Sequence, residues 1–131
     1  MPGCVMNEAA QNWAEQSRYD LETARVMLAS SRYLYVLFCC HQAVEKALKS
    51  VIVERTGGFP PRIHNLLRLA EEAGIEAYID HKRFLGELSA YYIQSRYPEE
   101  IKVLGSTITH ESVAEILKKT EETLQWLFSM P

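Results

Sequence analysis

The sequence predicts an all-α protein, an up-and-down antiparallel bundle of four long helices plus one short helix. Apolar residues recur every three or four positions in several long segments, which is the spacing of one helix face. No segment shows a convincing strand pattern. Long amphipathic helices with short connections pack well as an antiparallel bundle. The predicted helices cover residues 7–30, 33–55, 63–73, 80–96 and 109–128.

The first two helices are bounded by residues that begin or end helices. Asn7 is predicted as the first N-cap, because its side chain can accept hydrogen bonds from the free amides of the first turn. Ser30 and Ser31 mark the following turn. The second helix ends at Gly57, since glycine permits the left-handed conformation that closes a helix. The residues of the first helix expected to face inward are Trp13, Tyr19 or Ala24, Met27 and Leu28.

The later helices carry similar signals. Gly74 closes the short third helix, and Asp80 is the expected cap of the fourth. Pro98 stops the fourth helix, because proline disfavours helical backbone at the residue before it. Residues 99–108 are predicted to form a polar link, and Thr109 caps the last helix.

Length and composition favour one ordinary globular domain over residues 1–131. A net charge of −3, from 14 basic and 17 acidic residues, gives no overall attraction to nucleic acid. Cys39 and Cys40 are expected to be small buried residues. Residues 1–4 do not resemble a secretory signal, and no apolar run approaches the ~20 residues that span a bilayer. We therefore expect a cytoplasmic protein with no membrane segment.

The segment 38–49 places a histidine and a carboxylate on an apolar stripe. A buried imidazole and carboxylate are costly unless they meet partners. The candidate partners are His64 and the segment 95–99. We predict that Arg96 reaches into the bundle and pairs with Glu45, so that His41, Glu45 and Arg96 form a structural polar network. The residues that share this helix face are Leu34, Phe38, His41, Glu45, Leu48 and Ile52.

The same pair of side chains allows other interpretations. His41 and Glu45 are one helical turn apart, so they could act as a general base and its orienting group, or supply two metal ligands. A zinc site needs more ligands, and His64 could be a third, but neither the spacing nor the cysteine usage supports such a site. We predict no metal, no cofactor and no assigned catalytic residue.

Five residues are candidates for ligand binding: Lys46, Lys49, His64, Arg96 and Tyr97. The two lysines could contact phosphates, and His64 could join an anion site near the start of the third helix. Arg96 could hold a phosphate while Tyr97 stacks on a base. Purely structural roles also fit these residues. Lys46 could pair with nearby acids, His64 could cap its helix or contact Glu45, and Arg96 could pair with Glu45.

Four motifs in this order resemble the HEPN domain (higher eukaryotes and prokaryotes nucleotide-binding). They are Gln-Ala-Val-Glu-Lys-Ala-Leu-Lys at 42–49, His-Asn-Leu-Leu-Arg-Leu at 64–69, Ser-Arg-Tyr-Pro-Glu at 95–99, and the helix that begins at Thr109. The resemblance extends from Trp13 to Leu127. It implies a compact bundle of four or five helices that commonly forms a homodimer. It also implies pairing with a minimal nucleotidyltransferase antitoxin as a toxin–antitoxin component.

The ribonuclease motif of many HEPN proteins, Arg-x(4–6)-His, is absent, because no arginine of the chain has a histidine at that spacing. The resemblance therefore favours a nucleotide- or nucleic-acid-binding module. The alternative is a metal-independent ribonuclease whose site is assembled across a dimer, with His41 or His64 acting beside Arg96.

Overall fold

Six helices make up the described part of the chain, which is residues 7–76, 79–94 and 96–130 of a computed structural model. The predicted all-α class is confirmed, with four long helices and two short ones in these residues. None of the helices described combines the length and apolar character needed to cross a membrane. The helices are α1 (Glu8–Ala29), α2 (Tyr33–Thr56), α3 (Leu66–Glu72), α4 (Ile79–Gln94), α5 (Pro98–Thr107) and α6 (His110–Phe128).

Helix α2 lies at the centre of the bundle and packs against α1, α3, α4 and α6. Val36, Val44 and Leu48 are fully buried along it. The burial of such side chains on several faces of one helix is the main source of stability in a helical core.

Small residues bring α1 close to α2. Ala14 and Ser17 of α1 are buried, as are Ala43 and Ser50 of α2. Ser17 Oγ donates to the carbonyl oxygen of Ala43 at 2.6 Å, and Ser50 Oγ donates to that of Ala10 at 2.8 Å. These two hydroxyls link the helices in both directions and fix their register.

Most of the predicted helix boundaries are confirmed. Asn7 accepts a hydrogen bond from the Ala10 amide at 2.8 Å, and Gly57 takes a left-handed φ of 71° at the end of α2. Thr109 and Ser112 form a reciprocal capping box at the start of α6. The prediction for Asp80 was wrong, since Asp80 lies inside the first turn of α4, where its charge still suits the positive helix end.

The predicted polar link at 99–108 was also wrong, because most of it is helix α5. Pro98 occupies the first turn of α5, and Glu99 and Glu100 follow it there. A proline with acids after it is a helix-start signal, and Pro98 accordingly begins α5, whereas α4 already ends at Gln94. Leu104 is the one buried side chain of α5. Full burial of a leucine contributes about 1.5–3 kcal/mol, which makes this a lightly held helix.

The exposed fractions of the side chains decide two predictions about which residues lie in the core. Ala24 is buried whereas Tyr19 is 69% exposed, so Ala24 is the core residue of that pair. Cys39 and Cys40 are buried as expected, and burial raises the pKa of the Cys40 thiol to about 12. Cys40 therefore stays a neutral thiol at ordinary pH and is a poor nucleophile.

Candidate functional site

A buried carboxylate, that of Glu45 on α2, forms the base of the candidate site. Its residue is 4% exposed. Glu45 Oε2 accepts from Lys49 Nζ at 3.0 Å, and Oε1 accepts from His64 Nδ1 at 2.9 Å. Lys49 is also buried, so the two charges neutralise each other away from water. The predicted requirement for partners is confirmed, and His64 is one of them.

The loop between α2 and α3 carries His64 to this carboxylate. Gly57 turns the chain out of α2, and Asn65 caps α3 by accepting from the Arg68 amide at 3.1 Å. His41 Nε2 lies 3.0 Å from the backbone oxygen of His64 and donates to it, since a carbonyl can only accept. Helix α2 thus holds both the backbone and the side chain of His64. That side chain remains 53% exposed, so one end is fixed and the other faces solvent.

His41 is fully buried beneath this arrangement. Its Nδ1 makes no hydrogen bond to any described residue and lies 3.8 Å from Glu45 Oε1. Burial lowers the pKa of His41, and the nearby Glu45 carboxylate only partly offsets that effect. His41 is therefore neutral near pH 7 and serves as a spacer and backbone donor.

The ring of Tyr92 on α4 joins the buried and exposed parts of the site. It stacks on His41 with ring centroids 4.3 Å apart, and the His64 ring is 5.4 Å away. The guanidinium carbon of Arg96 lies 5.6 Å from the Tyr92 centroid, within the range of a cation–π contact. Phe38 is stacked at 6.3 Å. Among the described residues, side chains from three parts of the chain, namely α2, the α2–α3 loop and the turn after α4, therefore meet at one aromatic ring.

The predicted ion pair between Glu45 and Arg96 was wrong. Lys49 follows Glu45 by one turn of the same helix, which is the favoured orientation for a Glu–Lys pair. Arg96 is exposed just after α4 and contacts Tyr92 instead. The structural network therefore consists of His41, Glu45, Lys49 and His64, and Arg96 lies beside it on the surface.

The remaining predicted ligand residues have different surroundings. Lys46 pairs with Asp20 of α1 at 2.8 Å. Lys49 lies between Glu45 and the ring of Trp13, whose centroid is 5.5 Å from Nζ. Both lysines are thus committed to structural contacts. Tyr97 is 57% exposed and precedes α5, immediately after Arg96.

An apolar groove of about 310 Å³ runs beside Tyr92. Its volume is at the lower end of the range for small-molecule sites. The walls are mainly aliphatic and aromatic, with one guanidinium at the edge. Residues from α2, α4 and α5 and the Arg96 turn line it: Leu34, Tyr35, Phe38, Tyr92, Arg96 and Ile101.

Sequence reasoning missed Tyr92 and Ile101 as members of the site. Tyr92 repeats at helical spacing with other aromatic residues, which is also the pattern of a core residue. Ile101 lies in the segment predicted as a link. The proline and acids at the start of α5 were the available signal for that helix, but nothing local indicated which groove it would border.

Comparison with known proteins agrees with the resemblance predicted from the motifs. The HEPN domain family model matches residues 10–130. The crystal structure of TT1696 from Thermus thermophilus is similar, with a TM-score of 0.79 and 26% sequence identity. The match covers 92% of this chain and 97% of that one. No functionally curated protein matches the sequence.

Replacing Glu45 by alanine is expected to lower the free energy of unfolding by about 3–5 kcal/mol, because Lys49 is left buried without a counter-charge. Adding Lys49→Met should recover part of this loss. Arg96→Ala is the matched control and should stay within about 0.5 kcal/mol of the parent, since Arg96 is exposed. Urea denaturation measures all four proteins. A loss below about 1 kcal/mol for Glu45→Ala contradicts the buried pair.

Acid should destabilise the protein partly through His41. Its pKa is near 6.5 in the unfolded chain and lower in the folded protein, so the unfolded state binds the proton more readily. The contribution of neutral His41 to stability is fully present above pH 6.5. It is lost as the pH falls through the lower pKa of His41 in the folded protein. We expect the difference in unfolding free energy between pH 7.5 and pH 5.5 to shrink in His41→Gln. The exposed His110→Gln is the control, and equal pH dependence in both variants refutes this role.

Proposed function

Because the chain belongs to the HEPN family, we propose that it binds a nucleotide or an unpaired segment of RNA in the groove beside Tyr92. The observation that carries the proposal is the juxtaposition of an aromatic groove with two surface groups, Arg96 and His64, that both contact the Tyr92 ring. An aromatic surface next to a cation matches the two halves of a nucleotide, its base and its phosphate.

The groove offers stacking surface to a base. Phe38 is 40% exposed and Tyr35 is 62% exposed, and both line it. Stacking a base on an aromatic side chain contributes about 1–3 kcal/mol and tolerates any base, since every base has a π-face. The proposal therefore predicts weak discrimination between bases.

Arg96 is the group best placed to contact a phosphate. A guanidinium presents donors in a planar fork that fits a phosphate bidentately, and Tyr92 keeps this one on the groove side. His64, whose side chain is 53% exposed beside the same ring, is the second polar group near the groove. Lys46 and Lys49 are not part of the proposed site, because each is paired with a carboxylate.

The charge balance favours a ligand held through few phosphates. The chain has a net charge of −3, so general attraction to a polyanion is absent. Each neutralised phosphate of a single strand contributes about −0.7 to the slope of log affinity against log salt. We therefore expect a shallow salt dependence, equivalent to one or two contacts.

The family extends the proposal to protein partners. A homodimer is supported by family membership and by large exposed apolar side chains that do not line the groove, namely Ile93 of α4 and Val103 of α5. A second copy packed against them removes apolar surface from water. Pairing with a nucleotidyltransferase antitoxin is supported by family membership alone.

Titration with AMP and with a short single-stranded RNA at low salt tests the proposal. Arg96→Ala should weaken affinity about 10-fold or more, because a hydrogen bond to a charged group contributes about 1.5–3 kcal/mol. Lys118→Ala, which removes an exposed charge from α6, is the control and should bind like the parent. The absence of saturable binding at low salt refutes the proposal.

A second candidate function is a metal-independent ribonuclease assembled across a dimer. One observation favours it: Glu45 accepts from His64 Nδ1, which fixes the tautomer and leaves Nε2 for proton transfer. A histidine oriented by a carboxylate is a common general base. Arg96 shares the Tyr92 ring with it and could stabilise charge on a reacting phosphate.

Incubating the purified protein with RNA and a chelator tests this second candidate. Cleavage is expected to disappear in His64→Ala, which removes the base, and to fall sharply in Arg96→Ala. Lys118→Ala again serves as the control and should retain activity. An inactive parent protein, or cleavage that survives His64→Ala, rejects the candidate.

A further inference from the structure

Helix α5 is attached to the bundle through very little surface. Leu104 is 4% exposed and Ile101 is half-buried. On the opposite side Val103 is 63% exposed, and a Cβ added at Gly105 would meet no atom within 4 Å. Leu104 and Ile101 are the only side chains within α5 that are not exposed, and the half-buried Ile108 packs against the core directly after the helix ends.

No polar side chain of α5 links it to another helix in the described part of the chain. Ser106 Oγ donates to the Val103 carbonyl and Thr107 Oγ1 to the Leu104 carbonyl, both within α5. The contrast with α1 is clear, because Ser17 donates to α2 and Arg25 pairs with Glu121 of α6.

The α5 segment has little helical stability of its own. It is ten residues long, and isolated helices shorter than about 12–15 residues are marginal in water. Gly105 in its interior lowers helix propensity further. Tyr97, the N-cap, makes no side-chain capping bond. When α5 separates from the other helices, we expect its helical structure to be lost as well. Detachment and unfolding of α5 are therefore a single event.

We infer that α5 is a movable wall of the groove, which opens and closes as a unit while the other helices stay folded. Ile101 lines the groove together with Leu34, Phe38 and Tyr92, so displacement of α5 opens the groove along one side. The inference rests on the proposed function, since it describes how a ligand reaches that same groove and is then enclosed.

Hydrogen–deuterium exchange of the free protein tests the motion. The amides of residues 101–108 should exchange together and at least about tenfold faster than those of α2. Leu104→Ala should speed this group about tenfold or more, because it removes the one buried anchor. Gly105→Ala should slow the group about 2–5-fold, because alanine favours the helix and meets no neighbour.

Gln16→Gly is the control for global stability, because it weakens α1 at an exposed position far from α5 in the chain. This substitution should raise the exchange rate of the slowest core amides and leave the exchange rates of residues 101–108 unchanged. If those residues exchange as slowly as α2, or respond equally to Gln16→Gly, α5 opens only with the whole bundle and the inference is overturned.

Adding AMP tests whether α5 closes on a bound ligand. Saturating AMP should slow exchange in residues 101–108 more than in α1. If AMP binds in a separate titration and these residues are unaffected, α5 is not a wall of the ligand site and the inference fails. If AMP and RNA both fail to bind, the proposed function fails, and exchange in the free protein still decides whether α5 moves.

Discussion

The rest of the structure depends on burying one carboxylate at the centre of the bundle. A charge such as that of Glu45 is tolerated there only if cations or donors surround it. Lys49 supplies the charge from the same helix, and His64 supplies a donor from a loop. The requirement thus fixes where the α2–α3 loop runs, and the loop brings a half-exposed imidazole to the surface.

Tyr92 connects that buried network to the groove. The Tyr92 ring stacks on the neutral, buried His41. The guanidinium of Arg96 reaches the same ring from the exposed turn after α4. The buried charges cancel each other, so they contribute structure and not an external field. The exposed groups remain available to a ligand. A bundle can in this way hold a neutralised ion pair at its centre and a separate cationic group at its surface.

The helices differ in how firmly they are held. The interface between α1 and α2 combines close packing of small residues with hydroxyl bonds in both directions, exemplified by Ser17 and Ser50. Helix α5 depends on Leu104 for its burial. Segments with few buried contacts open at lower free energy than the core, so this difference places a helix with little buried surface beside the proposed ligand site.

The sequence by itself determined the helical class, the long helices and the caps of α1 and α6, because spacing and capping act within a few residues of the chain. It also indicated that Glu45 needed partners and that His64 was a candidate. Only the tertiary structure decided that Lys49 and not Arg96 supplies the counter-charge, and that Tyr92 joins His41 to Arg96. These contacts depend on where α4 and the α2–α3 loop pack against α2. No local sequence pattern specifies how closely segments far apart in the chain approach each other.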